Sequence, residues 1–152
     1  MATTKTLLAA VLSLTALVGC EQQGETIGSR GGVVTSDDGR VTLEVPAGAL
    51  ADDVELSIEL VDDERDGVVG GVYAVEPAGV VFHRPATLTF DLAADADDTR
   101  SFDLAGLAME DLVLVTEKAE RWAPMADRDV DADAELISAS VLFTSTYAVV
   151  SR

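Results

Sequence analysis

The chain has 152 residues, and its 28 acidic against 10 basic side chains give a formal net charge of −18. A surface this negative repels phosphate backbones, so nucleic acid is excluded as a partner, and the same acidity keeps a folded domain in solution. With a single cysteine the chain cannot form an internal disulfide, and with a single histidine the usual His and Cys metal sites lack their ligands.

The first nineteen residues have the features of an export signal. Lys5 supplies a positive charge, and the apolar run at residues 7–18 is too short to predict a membrane-spanning helix. The run ends in LVGC at residues 17–20, which resembles the lipobox of bacterial lipoproteins. That resemblance implies a lipid on the sulfur of Cys20, cleavage before it and acylation of the new N-terminus. The alternative is an ordinary secretory signal with an incidental cysteine.

Lipidation at Cys20 would anchor the mature chain without a membrane span, because two or more long acyl chains hold a protein stably at a bilayer. In the usual Gram-negative sorting pattern an Asp after the cysteine retains a lipoprotein at the inner membrane. Glu21 stands there, which favours the outer membrane. The polar residues 20–30 predict a flexible tether, leading to a single domain at residues 31–152.

Short runs of alternating apolar and polar residues predict the strands of that domain. The predicted strands are 33–34, 41–45, 54–60, 68–75 with a bend at Gly70-Gly71, 85–92, 112–115, a short strand at Trp122, 136–143 and 146–150. Pro85 is placed at a strand start because proline cannot donate to a ladder. Frequent turn signals without helical periodicity predict an all-β fold, a single antiparallel β-sandwich.

Three runs of this region resemble the ZU5 domain of ankyrins, netrin receptors, tight-junction scaffolds and bacterial surface proteins. They are GGVVTSDDGRVTLEVPAGAL at 31–50, VELSIELV at 54–61 and YAVEPAGVVFHRPATLTFDL at 73–92. The resemblance implies a β-sandwich used for binding and assembly rather than catalysis. Some ZU5-containing proteins cleave themselves at a His-Phe-Ser motif, and the matching position here reads Leu142-Phe143-Thr144. Because leucine cannot move a proton, the chain is expected to stay intact after signal removal.

Two acidic runs are candidate sites for Ca²⁺, which prefers several hard oxygen ligands. The candidate ligands in the sequence DRDVDADAE are Asp127, Asp129, Asp131 and Asp133, and an earlier run holds Asp95, Asp97 and Asp98. The first run is not an EF-hand loop, because its sixth and twelfth positions are Ala132 and Ser138. In an extended segment its alternate carboxylates would spread along one face. The simpler interpretation is a solvated acidic surface.

The remaining candidates for chemistry are two single residues. His83 in FHRP is expected at an exposed strand edge, and no nucleophile elbow lies near it in sequence, so a hydrolase is not predicted. Trp122 is expected to anchor the core, because the chain has few aromatic residues.

Taken together, these patterns predict a membrane-anchored envelope lipoprotein without enzymatic activity or a cofactor. Its ZU5-like module would bind a protein partner through loops or a sheet edge. The alternative function is a Ca²⁺-dependent adhesion or surface domain that uses the acidic loops.

Overall fold

The computed structural model describes residues 24–63, 67–93 and 107–152, which form two antiparallel β-sheets packed face to face. The predicted β-sandwich is confirmed. The strands are β1 (Glu25–Ile27), β2 (Gly32–Thr35), β3 (Val41–Val45), β4 (Val54–Val61), β5 (Val68–Glu76), β6 (Val81–Asp91), β7 (Leu112–Lys118), β8 (Arg121–Pro124), β9 (Asp129–Asp131), β10 (Leu136–Phe143) and β11 (Thr146–Ser151). The described ranges also contain a 3₁₀ turn at Met109–Asp111, and no helix in them is long and apolar enough to span a bilayer.

The two sheets alternate along the chain. The six-stranded sheet has the order β1-β4-β5-β11-β7-β8, and the five-stranded sheet has the order β2-β3-β6-β10-β9. The first crossing between them, from β1 to β2, passes through Gly31 with a φ of +74°. A Cβ at this position would lie 2.2 Å from the Val45 carbonyl oxygen, so only glycine fits the crossing.

The core lies between the sheets and is supplied by every second residue of the strands. In β3, Val41, Leu43 and Val45 are buried while Glu44 is exposed, as the alternation predicts. Leu56, Ile58, Tyr73, Val75, Leu88, Phe90, Leu114, Ile137, Tyr147 and Val149 join them in one apolar cluster. Burial stabilises such a cluster by about 25 cal/mol per Å² of apolar surface, so this core is the main source of the fold's stability.

The β-structure begins earlier than the predicted domain start at Gly31. Residues 25–27 were assigned to the flexible tether, but they form β1 and pair with β4 in the register Glu25↔Leu56 and Ile27↔Val54. Ile27 is buried in the core cluster. The tether prediction is therefore corrected for these residues, and only residues 21–23 separate Cys20 from the first described residue, Gly24.

Pro85 lies inside a strand and not, as the sequence predicted, at the start of one. β6 begins at Val81 and runs through Pro85. Its ladder with β3 starts at Thr87, and its ladder with β10 is irregular between Ala86 and Val81. Pro85 falls in this gap, where its missing N–H removes no ladder hydrogen bond, and this is why the strand can continue through it.

Candidate functional site

The described part of the chain has four edge strands, and edge strands are where a sheet protein can pair with another chain. In the six-stranded sheet the edges are β1 and β8, and in the five-stranded sheet they are β2 and β9. An edge strand presents unpaired N–H and C=O groups. Natural edges are blunted by charged side chains, proline or short length, and the side chains of the four edges decide which one is open.

The acidic run at residues 127–133 lies at the β9 edge. Asp129 and Asp131 are exposed on β9, opposite Ser138 and Leu136 of β10. Just before β9, a carboxylate oxygen of Asp127 accepts the Ser140 backbone N–H at 3.3 Å. These carboxylates put negative charge along the edge and cap one of its donors, so β9 and the neighbouring part of β10 are blunted.

The four predicted calcium ligands do not converge in the described structure. One oxygen of Asp131 accepts the backbone N–H groups of Asp133 and Ala134, each at 3.1 Å, which closes the turn into β10. Among residues 24–63, 67–93 and 107–152, no group of three or more acidic, His or Cys side chains is arranged to hold a metal ion. The earlier cluster, Asp95, Asp97 and Asp98, lies outside the described residues.

The β8 edge carries Arg121 and Pro124, and both blunt it. Trp122 of this strand lies outside the main core, contrary to the expectation that it anchors that core. It is partly buried against a second apolar cluster made of Val72, Val113, Val115 and Ala148. The tryptophan therefore covers a small cluster of the six-stranded sheet and joins its edge to its middle strands.

The β1 edge is short and acidic. Glu25 is exposed on it, and β1 covers only Val54–Leu56 of the longer strand β4. The rest of β4, residues 57–61, is not paired with β1, and it carries the acidic residue Glu59. A charged side chain thus accompanies each part of this edge as well.

The β2 edge differs from the other three. Its sequence is GVVT, with no charged residue and no proline. Val34 is buried, whereas Val33 has 53% of its surface exposed and Thr35 is exposed. Within the described ranges only β3 pairs with β2, so the outer side of β2 is an edge without charged residues.

Two grooves flank Val33, one on each side of the β2 edge. The first has a volume of about 270 Å³ and lies between β2 and the first sheet's β4, with Glu25, Asp37 and Ser57 in its wall. The second has a volume of about 390 Å³ and runs over the outer face of the five-stranded sheet, past Glu44 and Pro85. The apolar edge is thus bordered by acidic side chains.

A hydrogen-bond network fixes the hairpin that follows β2. One oxygen of Asp38 accepts from the Ser36 hydroxyl at 2.6 Å and from the Arg40 backbone N–H at 3.1 Å. Its other oxygen accepts from the Tyr73 hydroxyl at 2.7 Å. The Ser36 hydroxyl oxygen also accepts the Val41 N–H at 3.0 Å. Because Tyr73 belongs to β5, the network ties the β2–β3 hairpin to the opposite sheet.

The same network sets the charge of Asp38. Partial burial raises the pKa of this carboxyl, but the hydrogen bonds from Ser36, Tyr73 and Arg40, with the charge of Arg40, outweigh burial and lower the pKa below its ordinary value of 3.8. Asp38 is therefore ionised at neutral pH. It borders a surface cavity of about 610 Å³ together with Asp37, Asp62 and Asp63.

Thr144, which stands at the position of the serine in the self-cleavage motif, is buried and fully engaged. Its hydroxyl donates to the Pro77 carbonyl oxygen at 2.6 Å and accepts the Val80 N–H at 2.9 Å. A carbonyl oxygen cannot take the proton, so this contact does not activate the hydroxyl for attack. Leu142 is 53% exposed and turned away from the core.

The carbonyl before Thr144 has its own donor, since the Tyr147 hydroxyl hydrogen-bonds to the Phe143 oxygen. Burial raises the pKa of Tyr147 to about 12, and a hydrogen bond with Thr116 lowers it only partly. The phenol thus stays protonated and donates at neutral pH. These contacts join the end of β10 to β11 and give the segment a structural role.

The exposure predicted for His83 is confirmed, but its position differs from the prediction. It lies on β6, an inner strand of the five-stranded sheet, and not on an edge strand. Its backbone N–H donates to the Ala49 carbonyl at 2.9 Å, outside the regular ladder.

The comparison of the chain with protein-family models finds no match, and no curated protein matches it either. The observations on this protein's own residues therefore carry the functional argument.

Sequence reasoning missed the β2 edge and the Asp38–Tyr73 contact. The edge has a sequence signal, which is the absence of charge and proline in a strand that opens a sheet, but the topology is needed to know that the strand is an edge. The contact joins residues 35 positions apart, and the sequence holds no pattern that connects them.

Proposed function

We propose that this protein is a bacterial envelope lipoprotein, anchored through acylated Cys20, whose ZU5-like β-sandwich binds a protein partner without catalysis. The observation that carries the proposal is the position of the only cysteine, directly after an apolar run that ends in LVGC. A thiol at the end of an export signal is what lipid attachment requires. Glu21 after it favours the outer membrane.

The fold supports the binding half of the proposal. The edge strands of the described sheets offer surface for a protein, and the β2 edge carries neither charge nor proline. Three of the polar side chains that the sequence motifs singled out have structural partners. Asp127 and Asp131 hold backbone N–H groups, and the Thr144 hydroxyl holds a carbonyl.

The distance from the lipid to the domain also bears on this function. Four Cα steps separate Cys20 from Gly24, and at 3.8 Å each they span at most about 15 Å. A sandwich anchored through Cys20 would therefore lie next to the bilayer. Its negative surface would be repelled by anionic head groups, so it would present itself to neighbouring envelope proteins and not lie flat on lipid.

The test is incorporation of a clickable fatty acid into the full-length chain produced in a Gram-negative bacterium. The proposal predicts label on the wild-type chain and its recovery in the membrane fraction, with no label on Cys20→Ser. Separating the two membranes by density then tests the outer-membrane assignment. A wild-type chain that is processed, unlabelled and soluble would show an ordinary secretory signal and contradict the proposal.

A further inference from the structure

We propose that the outer edge of β2 is the partner-binding site, and that it takes up an extended, basic segment of the partner protein as an additional strand of the five-stranded sheet. This inference rests on the proposed function as a protein-binding module and names the edge and the chemistry of the partner. Backbone hydrogen bonds would supply the affinity and the flanking side chains the selectivity, as in other cases of strand addition.

The backbone register shows which groups are available. The Ser36 N–H donates to the Val41 carbonyl at 2.9 Å, so this opposed pair is a hydrogen-bonded one. In an antiparallel ladder such pairs alternate with pairs that bond outward. Val34 therefore bonds to β3, while the N–H and C=O groups of Val33 and Thr35 point to the open side of the sheet. Two residues with outward groups on a four-residue strand can pair with a strand of similar length.

The side chains of β2 suit such an added strand. Val33 is 53% exposed between the two grooves of about 270 and 390 Å³. Alternate side chains of an added strand point to opposite faces of the sheet, so they would reach one groove and then the other. Small apolar side chains would contact Val33, and longer ones would reach the groove walls.

Charge selects the partner. Glu25 and Asp37 line the first groove, and Glu44 lies opposite Val33 on β3 and lines the second. A second copy of this chain pairing edge to edge would bring the same three acidic groups against each other, and like charges that face each other across strands destabilise the pair. A segment with lysine or arginine beside small apolar residues is complementary instead.

The other edges strengthen the assignment by contrast. Charged residues or proline lie on β1, β8 and β9, and Asp127 caps the Ser140 N–H where β10 is uncovered. Among the edges of the described sheets, β2 alone is left without charged residues or proline, and its exposed Val33 has no role in the core.

The test uses the full chain purified in detergent and a fluorescent peptide, KVKVKVK, with blocked termini. The control peptide KPKPKPK has the same length and charge, but its prolines cannot form a ladder. We expect saturable binding of the first peptide only, and fluorescence anisotropy measures this binding. On binding, the Val33 and Thr35 amides should become protected from hydrogen exchange.

Two lysine variants separate the edge from general electrostatics. Val33→Lys should weaken binding of KVKVKVK by about tenfold or more, because it puts a like charge on the pairing edge. Val81→Lys makes the same substitution at a 65% exposed position on the inner strand β6 that lines neither groove, and it should weaken binding by no more than about twofold. Thermal melting of both variants confirms that they are folded.

Three results would overturn the inference. Equal binding of both peptides would show adsorption to a polyanion. A self-associating chain that becomes monomeric with Val33→Lys would identify a second copy as the occupant. Exchange protection of Val33 and Thr35 in the free monomer would show that the chain covers its own edge. None of these results alters the lipid on Cys20, so failure here is distinguishable from failure of the anchoring proposal.

Discussion

The Tyr73–Asp38 hydrogen bond should be measurable as a loss of stability in Tyr73→Phe. This substitution removes one hydroxyl and keeps the buried ring, which packs edge-on against Phe90 with centroids 5.6 Å apart. Asp38 keeps its hydrogen bonds from Ser36 and the Arg40 amide. The Tyr73–Asp38 contact joins the β2–β3 hairpin to the opposite sheet, beside the proposed binding edge.

The expected loss in free energy of unfolding is about 1 kcal/mol. A hydrogen bond to an ionised group contributes about 1.5–3 kcal/mol, and solvent around the partly exposed Asp38 carboxylate reduces this value. For a domain of this size 1 kcal/mol corresponds to a decrease in Tm of about 4 °C. The loss should depend on pH, because the contact favours the charged carboxylate.

The sign of the pH dependence follows from the lowered pKa of Asp38. A lowered pKa adds stability above the ordinary value of 3.8, and this stability is lost as the pH falls through the folded-state value. The gap between wild type and Tyr73→Phe should therefore be constant above about pH 5 and shrink in acid.

Urea unfolding of wild type, Tyr73→Phe, Asp38→Ala and the double variant at pH 7 and pH 3 measures this contact as a double-mutant cycle. Additive losses at pH 7, or a gap that does not shrink at pH 3, would refute the reasoning.

Three further predictions concern the domain start, the buried phenol and the acidic run. Ile27→Ala should lower the free energy of unfolding by about 2 kcal/mol in urea melts, because Ile27 is buried. No loss would show that residues 25–27 belong to the flexible tether and not to the domain. The stability difference between wild type and Tyr147→Phe should fall by about 2 kcal/mol from pH 10 to pH 12, since the raised pKa favours folding only while the phenol is protonated; a constant difference would contradict this. Millimolar Ca²⁺ should leave the Tm unchanged relative to EDTA, and a rise that vanishes in Asp129→Asn with Asp131→Asn would instead establish a calcium site.

The strands with long alternating patterns could be predicted from the sequence because one side of each is buried. β3 and β10 have the predicted bounds, and the bend predicted at Gly70-Gly71 coincides with a register shift between β5 and β11. A short edge strand gives no such pattern. β1 has a single buried side chain, Ile27, among polar neighbours, and its pairing with β4 decides its conformation.

The site was harder to predict than the fold, because its properties come from strand order. GVVT reads as an ordinary strand, and only the position of β2 outside β3 leaves Val33 at an open edge. The aspartates show the reverse case. Their alternation suggested a cation site. In the structure they lie at or beside the β9 edge, and Asp127 and Asp131 accept backbone N–H groups, so these two residues have structural roles.

The most direct test of the proposed lipid anchor is the intact mass of the chain extracted from bacterial membranes, with fragmentation to locate the modification. The expected result is one polypeptide that begins at Cys20, carries its acyl groups on that residue and is unbroken between Phe143 and Thr144. A chain without acyl groups whose N-terminus lies elsewhere would contradict the anchoring claim, and a break before Thr144 would contradict the structural role assigned to that residue.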